Sequence, residues 1–249
     1  MNTTRIRTAF KAFGIHFGIS LLVAALVALL VFTIWYPYPF RELAGGRDLF
    51  ILVIAVDIIC GPLLTSILFS PTKPKKELIT DISLVVIVQL LALGYGIWNV
   101  WLARPVYLVN TENKFYVVTN ISVKDFDLQN IPLELQPKLL GGPLKVSLRD
   151  GAAHDYDAMD AFVKSGKDKT QIPTLYSAYD GSKAYQNSQL ITNGLFKITA
   201  IKTEQIETIA KTAGLADIQQ LRFAYVIGQD AWYAFISPNG EIIGYSHSK

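Results

Sequence analysis

A single cysteine, Cys60, in 249 residues rules out an intrachain disulfide and any cluster of cysteine ligands. Histidine and methionine are almost as scarce, at three and two. No GxGxxG or P-loop lysine motif occurs, so the usual phosphate-cradling signatures are missing. Nor is there an HExxH, a nucleophile elbow or triad spacing. His154 beside Asp155 reads as a solvated turn rather than a dyad. No catalytic residue, cofactor site or metal ligand set is therefore expected. The net charge of +3 is small, and the excess of basic residues sits at Arg5, Arg7 and Lys11 and at Lys73, Lys75 and Lys76, beside apolar runs. It is read as membrane topology rather than nucleic-acid binding.

What is present is apolar sequence. Hydrophobic residues make up 51% of the chain, concentrated before residue 104. Three runs, about 13–36, 49–69 and 79–102, are each long enough to cross a bilayer, which needs roughly 20 residues. The first has a basic front like a signal peptide, but its apolar stretch is too long and ends in Trp35-Tyr36-Pro37-Tyr38 rather than small residues. The positive-inside rule places the amino terminus and the Lys73–Lys76 loop in the cytoplasm, and everything after Arg104 outside it.

The second run carries the polar residues around which the bundle is read. Asp57 falls about midway, where a carboxylate costs about 2.5–3.5 kcal/mol on insertion scales and needs an internal partner. Gly61 and Thr65 follow on the same helix face at i+4 and i+8, a packing face. Pro62 leaves the carbonyl of Ile58 without its helical donor, which favours a kink, with Thr65 and Ser66 available to repair it. Depth matching along antiparallel runs pairs Asp57 with Gln89 at mid-depth, and His16 with Asp81 near the cytoplasmic face. It also pairs Glu42 or Asp48 with Arg104 at the outer face. His16 is read as an interfacial or packing hydrogen-bonding group, with a proton relay or ligand role as the alternative. Before the second run, Glu42, Gly45 and Gly46 belong to a short polar loop following the aromatic stretch WYPYPF.

The domains expected are 1–104, a three-helix membrane bundle, and 105–249, an α+β domain with antiparallel hairpins. In the second, 105–120 reads as a hairpin around TENK and 124–149 as irregular. Helices are expected over 155–164, with Met159, Phe162 and Val163 on one face, and over 203–213. A meander closes the chain over 221–245, with Asn239-Gly240 as a two-residue turn.

KAFGIH at 11–16, WYPYPFRELAGGRDLF at 35–50, VDIICGPLLTSILFSP at 56–71 and ARPVYLV at 103–109 together resemble the type IV pilin accessory protein family. The resemblance implies a multi-pass inner-membrane protein of a Gram-negative bacterium with a periplasmic carboxy-terminal domain. It also implies a noncatalytic factor that binds type IV pilin or inner-membrane pilus assembly proteins and modulates pilus assembly or dynamics. The competing reading is a membrane-embedded enzyme that modifies pilin or lipid, using His16, Glu42, Asp57 or Asp81. The separation of these groups across the bilayer argues against one shared site.

Overall fold

The computed structural model of the chain describes residues 3–70, 72–152, 155–191, 203–215 and 217–247; His154 lies outside them. Two compact units are present, one made of 1–34 and 46–102, the other of 35–45 and 103–249.

The helical unit contains α1 (Thr3–Leu30), α3 (Gly46–Leu68) and α4 (Lys75–Ala103). At 1.5 Å per residue each exceeds the roughly 30 Å of a hydrocarbon core. α1 ends in a π-helical turn, Val31–Trp35, where Thr33 Oγ1 donates to Leu29 O at 2.6 Å. α3 continues as helix through Pro62. The expected repair of the Ile58 carbonyl by nearby hydroxyls is not made: Ser66 donates to Leu63 O, and Thr65 bonds His16. A thin buried seam, including Ala24, Phe50, Ile54, Val85 and Leu93, holds the helices together. Small residues bring backbones close, as at Gly96, where a Cβ would collide with the Val53 side chain.

Among the described residues, the second unit is built on a mixed eight-stranded sheet. Strands β1 (Pro105–Thr111) and β2 (Lys114–Thr119) form the expected antiparallel hairpin, and the single turn α5 (Asn120–Val123) follows β2. β3 (Leu144–Leu148) pairs parallel to β1, and β4 (Tyr176–Ala178) antiparallel to β3. β6 (Arg222–Ile227) lies parallel to β2 and continues into the antiparallel β7 (Ala231–Ile236) and β8 (Ile242–His247), while β5 (Gln189–Leu190) pairs with β6. The order is β4-β3-β1-β2-β6-β7-β8. Two departures from the sequence reading stand out: the irregular stretch 124–149 contains a strand, and two of the pairings are parallel rather than hairpins. The β7–β8 turn is also wider than two residues. Ser237 N donates to Glu241 O at 3.0 Å, and Pro238, which has no N–H, cannot extend the ladder. Gly240 takes φ +81° there, the left-handed region that glycine adopts without penalty.

Both faces of the sheet are covered. α7 (Gly181–Asn187) supplies Ala184 to one face and α8 (Thr203–Thr212) supplies Ile206 and Ala210 to the other. The first face is completed by α2 (Phe40–Leu43). Phe40 and Leu43 are buried with Leu108, Phe115, Val226 and Trp232. Leu43 O accepts from Gln229 N at 2.8 Å. Residues 35–45, expected as an aromatic interfacial stretch and a polar loop of the membrane module, thus belong to the sheet unit, with Phe40 and Leu43 in its core. α6 (Tyr156–Ser165) forms as expected, but Met159, Phe162 and Val163 remain exposed rather than packed.

Candidate partner-binding cleft

Helical spacing builds the polar centre of the helical unit. His16 and Ser20 stand one turn apart on α1; Asp57, Gly61 and Thr65 stand one turn apart on α3; Gln89 comes from α4. His16 Nδ1 and Thr65 Oγ1 are 2.6 Å apart. Gln89 Nε2 donates to Ser20 Oγ and to the backbone carbonyl of Asp57, each at 3.0 Å. Gly61 makes this possible, because a Cβ there would occupy the space of the Gln89 amide.

The pairing of Asp57 with Gln89 is therefore real, but it runs through the Asp57 main chain. Asp57 Oδ1 and Gln89 Oε1 are both buried and have no hydrogen-bond donor. An unsatisfied buried acceptor costs about 1–3 kcal/mol. Beside them a cleft of about 600 Å³ opens between α1 and α4, lined by Ile15, Ile19, Val86 and Leu90 as well as Asp57 and Gln89.

The other sequence-derived pairs fall elsewhere. His16 does not meet Asp81, which instead accepts from Lys73 Nζ at 2.6 Å, since the connecting loop folds back along the start of α4. Asp48 is largely exposed and sits 3.6 Å from Arg47, and Glu42 lies 3.9 Å from Arg41. Arg104 is buried, donates to the carbonyls of Leu139 and Lys138, and stacks over Trp35. Burial lowers the pKa of Arg104 from its usual value, opposed by the neighbouring Tyr36. Gly45 takes φ +68° against the Gln229 side chain, and Gly46 opens α3. Of the candidates, His16, Asp57, Gly61, Thr65 and Gln89 converge, whereas Glu42, Gly45, Gly46, Asp81 and Arg104 do not join them. Pro62 is buried on α3 beside this group. Ser20 was missed, although a lone hydroxyl one turn after His16 in an apolar run is a readable signal. Among the described residues no group of three or more His, Cys, Asp or Glu side chains gathers to hold a metal ion.

The family model "Fimbrial assembly protein FimB" matches residues 4–45, the stretch that holds His16, Ser20, Glu42 and Gly45. The fimbrial assembly protein of Dichelobacter nodosus serogroup I is 32% identical over 97% of this chain and 96% of its own length. The chain belongs to the FimB fimbrial assembly family. Two further relatives from the same organism agree. The serogroup E1 protein is 33% identical over 86% of this chain and 85% of its own, and that of serogroups C1 and C2 is 50% identical over 44% of this chain and 83% of its own. No solved structure matches the FimB-family chain.

Proposed function

We propose that this chain crosses the inner membrane three times, with its amino terminus in the cytoplasm and its sheet domain in the periplasm. It serves type IV pilus assembly without catalysis, by binding pilin or the inner-membrane assembly proteins. The names of its relatives support the role in fimbrial assembly; the cleft supports the mode. From Thr8 to Val23 along α1 the cleft runs about 22 Å, most of a hydrocarbon core. A whole helix of that length and roughly 10 Å diameter fills about 1,700 Å³, so about 600 Å³ admits only a helix flank. The observation that carries the reading is the open, largely apolar cleft with Asp57 and Gln89 in its lining at mid-depth, which suits a helix flank bearing a small polar side chain there. A membrane-embedded subunit with a periplasmic head can engage the cleft and the sheet domain together, and two modest contacts on one scaffold reinforce each other.

In-cell photocrosslinking from Ile19 and Leu90, both on the cleft wall, tests this. Crosslinks to pilin or a platform protein are expected, and they should be lost in Asp57→Leu at normal protein level. Crosslinks to pilus components at neither position, together with unaltered pilus number in a deletion strain, would sink the proposal. Reporter fusions at Lys75 and Lys249 should report cytoplasm and periplasm respectively.

A further inference from the structure

The turn at Lys138–Leu140 is held by its carbonyls and turns its side chains outward. Leu139 O accepts from Trp35 Nε1 at 2.9 Å and from Arg104 Nη1 at 2.6 Å, and Lys138 O accepts from Arg104 Nη2 at 3.0 Å. The guanidinium lies 5.8 Å from the Trp35 ring. Gly141 N donates to Lys138 O at 3.2 Å and closes the turn. The backbone is thus pinned to two buried side chains, yet Leu139 and Leu140 are 63% and 65% exposed. Two adjacent leucines held outward on a fixed turn form an exposed apolar pair that the sheet domain does not cover.

The two anchors identify what covers this pair. Trp35 ends the apolar stretch of α1, and Arg104 directly follows α4. The apolar part of α4 from Ile82 to Ala103 is about 33 Å long, close to the roughly 30 Å hydrocarbon thickness. Trp35 and Arg104 are themselves buried in the sheet unit, so what ties the turn to the spans is chain continuity: one ends and the other directly follows an apolar helix. The Leu139 carbonyl is one hydrogen bond from the Trp35 indole, and the headgroup layer beyond the hydrocarbon is about 5–7 Å thick on each side.

We propose that Lys138–Leu140 is a lipid-contacting loop, whose two leucines enter the interfacial layer of the bilayer while Trp35 and Arg104 clamp its backbone. The proposal rests on the reading that α1 and α4 span a membrane. The occupant is lipid rather than a partner protein, because the clamp is made from the residues that end two apolar helices and Lys138 flanks the leucines with a charge suited to headgroup phosphate.

The test uses the full chain carrying Cys60→Ala, with one cysteine introduced at a time by Leu140→Cys, Leu139→Cys, Glu112→Cys or Leu26→Cys. Each is labelled with an environment-sensitive fluorophore and reconstituted in phosphatidylethanolamine and phosphatidylglycerol vesicles containing nitroxide lipids. Circular dichroism identical to the parent certifies each variant. Glu112, exposed in the β1–β2 turn among polar residues, is the aqueous reference. Leu26, exposed on α1, reports the span itself. The labels at 140 and 139 are expected to emit blue-shifted from the label at 112 and to lose at least half their intensity to a nitroxide placed near the headgroup. The label at 26 should respond to a nitroxide deep in the acyl chain. If 139 and 140 match 112 while 26 is quenched, the loop proposal is overturned and the span stands. If 26 is unquenched as well, both fall.

Discussion

The two units of this chain are inverted relative to each other. In the helical unit large apolar side chains such as Leu22, Leu26, Leu52 and Leu91 face outward, while Ser20, Asp57 and Thr65 are buried. In the sheet unit Tyr107, Phe115, Leu108 and Phe235 are fully buried, and the lysines and acids lie outside. The proposed membrane topology accounts for both patterns: a hydrocarbon surrounding has no reason to drive leucine inward, whereas water does so at roughly 25 cal/mol per Å². The comparison teaches where stability resides. Truncating an apolar side chain should be costly in one unit and nearly silent in the other.

The strongest way to break this contrast is Phe115→Ala, expected to lower the unfolding free energy of the sheet unit by about 3–5 kcal/mol. The same measurement, chemical denaturation of the full chain in detergent followed by tryptophan fluorescence, should find Leu26→Ala within about 0.5 kcal/mol of the parent. Equal losses at both positions would refute the inversion. Alkaline pH should act on the sheet unit alone. Burial raises the pKa of Tyr107, Tyr176 and Tyr245, and that of Tyr179 to about 12, where its hydroxyl donates to Gly240 O at 2.9 Å. A raised tyrosine pKa means that the unfolded chain ionises first. The contribution of Tyr179 is therefore complete below pH 10 and is lost between about pH 10 and 12. Tyr179→Phe should shift the alkaline midpoint of unfolding upward.

Smaller effects sharpen the helical side. Gly61→Leu forces Gln89 out of its place between the helices, at a cost of about 1–3 kcal/mol for overpacking. Its expected signature is faster proteolysis of the helical unit in detergent with an unchanged alkaline midpoint of the sheet unit. Least of all, Lys73→Ala removes a half-exposed ion pair with Asp81 and should change stability by less than about 1 kcal/mol.

The parts of the fold legible in the sequence are those whose signal is local. The three helices follow from unbroken apolar runs. The β1–β2 hairpin, α8 and the closing meander follow from alternation or helical spacing bounded by turn residues. β3 was invisible because five residues after Gly141-Gly142-Pro143 carry little pattern, and its partner β1 lies parallel and far away in sequence. The burial of Phe40 and Leu43 was invisible for a related reason, since Trp, Tyr and Pro next to an apolar run read equally well as an interfacial belt. At the cleft, spacing and depth brought Asp57, Gly61, Thr65 and Gln89 together correctly. They misassigned His16, because depth matching fixes a level but not a rotation about the helix axis, and rotation turns His16 toward Thr65 rather than Asp81.

On the proposed three-span topology, the core position of Phe40 and Leu43 makes assembly of the sheet a checkpoint on insertion of the helices. This plug is encoded between α1 and α3, two long helices before β1 and β2 and most of a chain before β6 and β7, the strands it completes. It reaches them only if α1 and the α3–α4 pair deliver residues 40–43 and 105–247 to the same side of the bilayer. A chain whose first helix fails to cross leaves a hole lined by Leu108, Phe115 and Trp232. Losing a buried Phe and a buried Leu costs about 3–5 and 2–5 kcal/mol, which is comparable with the whole stability of a typical domain. Misinserted copies would thus carry an unfinished sheet, open to proteolysis, and a fragment beginning at Pro105 would inherit the same defect.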